Sequence, residues 1–290
     1  MKPRLRGSST ALFSTWYLAE QWGLMLDCGD GASAALMHKA RKVRHLFLSH
    51  ADRDHIAGLL AFQQLYGGPN LTIHHPADSG TFPALAAFCR NFDPHIRGTR
   101  WQAITDGDVV PIGRGLSVRA RENSHIRGLR PGIRSLGYFV ERSVRKLRPE
   151  HEGRTGAEIA DLRRSLGEEA VTREVRSLAL AYSGDTGVLS DGRYAEADVL
   201  IHEATFIDRA DGGSVGRDRF RHSALDDVLA MAAEDRPGHL VLGHFSGRYD
   251  AARIERAVYE GIAAHGLGCP VSVLMPGATD HDILTRTLPA

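Results

Sequence analysis

A layered α/β architecture is the fold class that this 290-residue sequence predicts, and three observations lead to it. Short apolar runs alternate with amphipathic stretches along the chain, the pattern of strands exchanging with helices. The hydrophobic fraction of 42% and charged fraction of 24% are those of a folded globular chain. A chain of this length buries roughly 75% of its unfolded surface, so a full core is available without disulfides. No Pro- or Gly-rich linker interrupts the pattern, so residues 1–290 are expected to form one domain.

The elements follow in order. Leu12–Leu18 and Trp22–Leu26 read as two strands joined by a polar turn. Asp27-Cys28-Gly29-Asp30-Gly31 is a turn, and Ala32–Ala40 reads as a helix. Val43–Leu48 is a short apolar strand that runs into Ser49-His50. Ile56–Tyr66 is helical by the spacing of Leu59, Leu60, Phe62 and Leu65, and Gly67-Gly68-Pro69 ends it. Leu71–His74 reads as strand and Phe82–Phe92 as helix. Val109–Val140 is mostly strand. Glu141–Arg176 carries nine Lys/Arg and eight Asp/Glu with few large apolar residues, and is expected to be a solvated helical arm or insertion. Leu178–Tyr182, Val199–His202, His239–Leu242 and Val271–Met275 read as strands, Ala224–Ala233 and Ala251–Ala264 as helices.

Composition excludes several classes. The net charge of +1 rules out global electrostatic capture of nucleic acid. No apolar run reaches the ~20 residues of a membrane helix, and the basic start lacks the apolar core of a secretory signal. Cys28, Cys89 and Cys269 show neither a disulfide framework nor a CxxC metal site, so a reduced cytosol is the expected setting.

Histidine, at 15 residues, is the informative type. Ser49-His50-Ala51-Asp52-Arg53-Asp54-His55 places four potential metal ligands in six residues, directly after an apolar strand. Imidazole and carboxylate together suit zinc, manganese or iron. The bland alternative makes this a polar turn, with Asp54 capping a helix from Ile56. His125, Asp185 in Tyr182-Ser183-Gly184-Asp185-Thr186-Gly187, and His244 in Leu242-Gly243-His244 each follow an apolar strand as well. Side chains at strand ends sit on rigid supports, as a metal site requires. His38, His45, His74 and His75 lack partner spacing and read as structural or surface residues; His202 reads as a core or supporting histidine, and Cys28 as a packed thiol.

In this order, HxDxDH, a lone His, GDTG, IHEATF and HFSGRY, the chain resembles the metallo-β-lactamase superfamily, and within it the ribonuclease Z branch. Asp27–Gly31, Leu136-Gly137-Tyr138, His202-Glu203-Ala204-Thr205-Phe206 and His222-Ser223 carry the resemblance further, across about residues 22 to 250. The resemblance implies a four-layer αββα sandwich with two divalent metal ions, zinc first. His50 and His125 would bind one metal, Asp54, His55 and His244 the second, and Asp185 would bridge them. A metal-bound hydroxide would attack a phosphodiester, with Asp54 orienting or deprotonating the water and His222 assisting the leaving oxygen. Glu203 would hold His222 or His202, and Ser246, Arg248 and Tyr249 would contact a phosphate. Family members are often dimers, so a homodimer is a further expectation.

Asp52 stands where the family's motif has a second His. It is either a ligand in a site shifted toward manganese or iron, the preferred reading, or a hydrogen-bond partner of a ligand. Arg127, Arg130 and Arg134 follow His125 closely and are candidates for an anionic substrate, against a solvated loop. Neither the glycine- and proline-rich tRNA-gripping arm nor the PxxRN-type loop is visible, so the resemblance stops short of the elements that grip tRNA. The alternatives to a phosphodiesterase are a hydrolase of a lactone, thioester or β-lactam, and a non-catalytic metal- or RNA-binding relative.

Overall fold

A computed structural model describes residues 2–77, 80–126, 134–212 and 221–288. Its first sheet begins with a hairpin of β1 (Leu5–Thr10) and β2 (Ser14–Ala19), to which β3 (Leu24–Leu26) adds antiparallel. Three parallel strands complete it, β4 (His45–Phe47), β5 (Thr72–Pro76) and β6 (Arg100–Ile104). Parallel neighbours need crossovers, and α1 (Ala32–Leu36), α2 (Arg53–Ile56), α3 (Leu59–Tyr66) and α4 (Thr81–Phe92) lie in them.

The second sheet repeats the plan. An antiparallel run of β7 (Val109–Gly113), β8 (Leu116–Glu122), β9 (Leu136–Leu147) and β10 (Thr172–Tyr182) is followed by parallel β11 (Leu200–Glu203), β12 (Leu240–Gly243) and β13 (Val271–Val273). Between β9 and β10 sit α5 (Gly156–Leu166) and α6 (Glu168–Val171), and α7 (Leu225–Asp235) and α8 (Ala251–His265) link the parallel strands.

Alternation along the strands divides the apolar residues into layers. Leu24, Leu26 and Phe47 face inward and meet Val118, Tyr138, Leu180 and Val241 of the other sheet. Met25, Leu46 and Ile73 face outward onto Leu36, Leu59, Phe62 and Phe82. Leu200, Leu240 and Leu242 meet Val228 and Leu229 of α7 and Ile254, Val258 and Ile262 of α8. The layers are therefore helix, sheet, sheet, helix, as the resemblance implies. The α8 stripe recurs every four residues, and full burial of each such side chain contributes about 1.5–3 kcal/mol.

Several local expectations need correction. Leu5–Thr10 is a strand that the apolar pattern does not show, because its middle is Arg-Gly-Ser-Ser. Leu12 and Phe13 belong to the β1–β2 turn and not to a strand; Leu12 has φ of 69°. The predicted helix Ile56–Tyr66 is broken at Gly58, where a Cβ would stand 2.2 Å from the Gly29 carbonyl. The charged segment 141–176 is not a helical arm throughout. Its flanks are the outer halves of β9 and β10, paired as far as Leu147 and Thr172. Both faces there are largely solvated, so the sequence carries no two-residue alternation. Only the tip is helical, starting from a capping box of Thr155 and Glu158. Among the described residues no helix is long and apolar enough to cross a membrane.

Candidate metal centre

The loops that leave β4, β8, β10 and β12 meet at one edge of the sandwich, and each delivers a candidate ligand. After β4 come His50 and the short helix α2. Asp52 takes the N-cap position of α2 with extended backbone, but its carboxylate makes no cap bond. Asp54 and His55 lie inside that helix, which starts at Arg53, so capping by Asp54 of a helix from Ile56 is not what the chain does. The Leu12 N–H donates to Asp54 Oδ2 at 2.9 Å.

Asp54, His55, Asp185 and His244 form one buried group, and His50, His125 and Asp185 a second. Asp185 Oδ2 belongs to both. It stands 3.3 Å from His55 Nε2, 3.3 Å from His244 Nε2 and 3.7 Å from His50 Nε2. Asp54 Oδ2 lies 3.2 Å from His244 Nε2. Asp52 Oδ2 reaches 3.3 Å from His125 Nε2 and 3.6 Å from His50 Nε2, at the exposed mouth of the second group.

Behind the cluster, each imidazole donates through Nδ1. The partners are Ser49 Oγ for His50 (2.9 Å), Asp27 Oδ2 for His55 (2.8 Å), the Arg221 carbonyl for His125 (3.0 Å) and Thr205 Oγ1 for His244 (2.9 Å). Asp27 also accepts from Ser49 N and Ser49 Oγ, and Thr205 Oγ1 in turn donates to Glu203 Oε2 at 2.6 Å. These bonds fix the tautomer and turn the Nε2 lone pairs toward the shared space, the arrangement that metal-binding histidines use. His50 Nε2 is buried with no hydrogen-bond partner. An orphaned buried acceptor costs about 1–3 kcal/mol, and a divalent cation relieves it. The donor set of imidazole nitrogen and carboxylate oxygen fits zinc, manganese or iron.

Charge in the cluster is mutually supported. Burial opposes ionisation of Asp185, yet His244, His55 and His50 outweigh it and hold its pKa well below the ordinary value. Burial likewise opposes Asp54, and the His244 bond and His55 bring it to about 2. For His222, burial works against the imidazolium, but Glu203 and Asp185 hold its pKa up at about 9. His222 Nδ1 donates to Glu203 Oε1 at 2.9 Å. Backbone strain gathers here too: Leu12, Asp27 and His244 all have positive φ, at about 1–3 kcal/mol each.

A cleft of about 380 Å³ opens over the cluster, bounded by Asp52, His125, His222, Phe206, Arg221 and Arg248 among others. Ser246 also lines it and accepts from Arg248 Nε at 3.0 Å. Tyr249 does not line it. Its buried hydroxyl donates to Asp211 Oδ2 at 2.7 Å and accepts from Ile207 N–H, so the expected phosphate contact is spent within the fold. Arg127 and Arg130 lie outside the described residues, and Arg134 pairs with Glu122 at 3.2 Å. His202 is buried in β11, donating through Nδ1 to the Glu203 carbonyl. The sequence alone gives no role to Leu12, Ser49, Thr205, Phe206 or Arg221, and places Asp27 in a turn that carries the family resemblance. Asp27 carried the same mark as Asp185, an acid straight after an apolar strand.

The model of the beta-lactamase superfamily domain matches residues 24–148. The chain is 31% identical over 230 residues to tRNase Z TRZ1 of Arabidopsis thaliana, covering 76% of this chain and 79% of that protein. It is 29% identical over 256 residues to ribonuclease Z of Methanosarcina mazei, covering 78% and 79%. Among solved structures, the short form of human tRNase Z superposes with a TM-score of 0.59 at 20% identity, covering 96% and 98% of the two chains. Zn(2+)-bound PqqB from Methylobacterium extorquens superposes with a TM-score of 0.61 at 16% identity, covering 95% and 99%. The fold and the cluster thus define a metallo-β-lactamase-fold, metal-dependent hydrolase. The chain belongs to the ribonuclease Z family of that superfamily.

Proposed function

We propose that the cleft hydrolyses a phosphodiester with two divalent cations, zinc first and manganese or iron next. The observation that carries this is one carboxylate oxygen, Asp185 Oδ2, within 3.3–3.7 Å of three buried Nε2 atoms. His50, Asp52 and His125 would hold one ion, Asp54, His55 and His244 the other, with Asp185 between. Held there, the pair would supply an activated water and neutralise charge developing on the phosphoryl and leaving oxygens.

The chain's own side chains do the rest. Asp54 orients the attacking water. Arg248, fixed on Ser246 and stacked 5.7 Å over Phe206, and Arg221 draw the phosphate into the cleft. Glu203 holds His222 through Nδ1, and His222 returns a proton to the leaving oxygen. Arg221 and Arg248 at the cleft favour a phosphodiester over a lactone or β-lactam, whose hydrolysis needs no phosphate-binding guanidinium. RNA is the first substrate class to screen, since the relatives are ribonucleases by name. The reading takes the chain as one domain in the reducing cytosol, where the free thiols Cys28, Cys89 and Cys269 persist. Light scattering tests the homodimer that the family suggests.

Turnover of bis(p-nitrophenyl) phosphate by protein reconstituted with zinc or with manganese is the direct test. Metal-dependent turnover that is lost in His55→Ala is expected. Hydrolysis of a lactone or β-lactam without phosphodiester turnover would overturn the reading.

A further inference from the structure

The edge of the sandwich opposite the cleft carries a second concentration of charge. At the starts of β4, β5 and β6 lies an open groove of about 830 Å³, lined by Arg44, Arg100 and Arg114 together with Lys42, Glu20 and Trp22. His45 to His50 is about 17 Å of extended chain, which separates the groove from the cleft.

Lys42 pairs with a carboxylate, its Nζ 2.5 Å from Glu20 Oε1, and Glu20 Oε2 takes Arg6 at 3.1 Å. Arg44, Arg100 and Arg114 have no carboxylate partner among the described residues. Neutral oxygens hold them. Arg100 donates to Thr72 Oγ1 at 2.8 Å and to the Pro69 carbonyl at 3.2 Å. Arg44 donates to the Arg41 carbonyl at 3.0 Å. Arg114 reaches across from the second sheet to the Gln21 carbonyl at 2.6 Å. The three guanidinium groups are fixed in place without being neutralised.

The backbone adds an independent sign. Arg114 sits at φ of 57° between Gly113 at 85° and Gly115 at 69°. A side chain at such a position costs about 1–2 kcal/mol over glycine, and here its product is a guanidinium held over the groove.

We propose that this groove is a second anion site, which takes the phosphate chain of a small oligophosphate, free or as the tail of a nucleotide. Guanidinium forks match phosphate oxygens bidentately. Several uncompensated cations in one concave site call for more than one negative charge. The groove has the size of a small-molecule site, about 300–1,000 Å³, and Trp22 offers a wall for a base. The inference stands apart from the hydrolase reading.

The test uses the full chain stripped of metal and kept in EDTA, in an Arg221→Ala, Arg248→Ala background that removes the cleft's own phosphate contacts. Calorimetric titration with sodium pyrophosphate, and separately with ATP, is expected to show one saturable site of micromolar affinity. Affinity falls steeply between about 50 and about 300 mM salt. Arg114→Gly weakens binding at least about tenfold while keeping or raising the Tm, because glycine accepts that backbone without strain. The pair Arg44→Ala with Arg100→Ala abolishes it. Equal affinities for the two ligands place the contacts on phosphate, and tighter ATP binding adds the Trp22 wall; both support the site. Absence of saturable binding below millimolar concentration would overturn it. So would affinity unchanged in Arg114→Gly and in the double variant, or binding of single-stranded RNA without binding of pyrophosphate or ATP.

Discussion

Two groups of histidines are built into the same sandwich and differ in what surrounds them. At one edge, His50, His55, His125 and His244 stand among carboxylates, each held from behind through Nδ1. Along β4 and β5, His45 and His74 stack on Phe47, with ring centres 4.2 Å apart for Phe47 and His74, and His45 Nδ1 lies 3.1 Å from His74 Nε2. No carboxylate reaches that stack among the described residues. Burial is common to both groups and disfavours the imidazolium in both. It wins at His74, where burial, His45, His75 and Arg100 together bring the pKa to about 3. At His55 the carboxylates of Asp185 and Asp27 outweigh burial and hold the pKa well above the ordinary value, whereas at His50 burial prevails as it does at His74. A count of histidines therefore does not identify a metal site. Hydrogen-bond acceptors behind the rings, and convergence of the near nitrogens on shared carboxylates, do.

The contrast can be broken in four places. Asp185→Ala removes the shared oxygen and is expected to lower phosphodiester turnover on the order of 1000-fold and to empty both groups of metal. Elemental analysis and kinetics check it, and EDTA, which should lower the Tm of the metal-loaded parent, should leave this variant unmoved. Turnover equal to the parent's would remove Asp185 from the centre. Asp27→Asn keeps the shape behind His55 and removes the charge. Loss of metal affinity of about 10–100-fold is expected by competition with a chelating dye, the usual cost of a lost supporting acid.

Asp52→His should retain turnover and raise zinc affinity by a few-fold to about tenfold, because imidazole suits zinc better than the exposed carboxylate at the mouth. Unchanged zinc affinity would make Asp52 a bystander. His74→Phe is the smallest change. It should leave metal content and turnover as they are and alter only the pH dependence of stability. A histidine whose pKa is lowered in the fold takes up its proton on unfolding, so its contribution is intact above pH 6.5 and is lost as pH falls toward about 3. Removing it should flatten urea-unfolding stability against pH in that interval by about one proton. An unaltered slope would place the acid sensitivity elsewhere.

How much of this is written in the sequence depends on distance along the chain. His50, Asp52, Asp54 and His55 were legible because four donor types crowd six positions after an apolar run. His125, Asp185 and His244 were legible because strand ends mark them. Leu12 was not, because its bond to Asp54 spans 42 positions and uses only the backbone. Tyr249 sat in a motif that points to phosphate, while its hydroxyl was claimed by Asp211, whose approach no local pattern announces. The layered α/β class followed from apolar runs that exchange with amphipathic stretches, the four layers from the family resemblance, and each strand's bounds from its apolar pattern. That pattern failed at the outer halves of β9 and β10, where water meets both faces and alternation loses its cause.

The hydrogen bond from Leu12 to Asp54 has a practical consequence. That amide hydrogen ends on a carboxylate proposed to hold a cation, so any change in the charge of the carboxylate reaches the amide directly. Loading the centre withdraws electron density from Asp54 and weakens the bond. The Leu12 cross-peak in a proton–nitrogen NMR spectrum should then move upfield as metal is added, in step with occupancy. One backbone signal would thus read the state of the centre in solution for zinc, a diamagnetic ion, before any substrate is known.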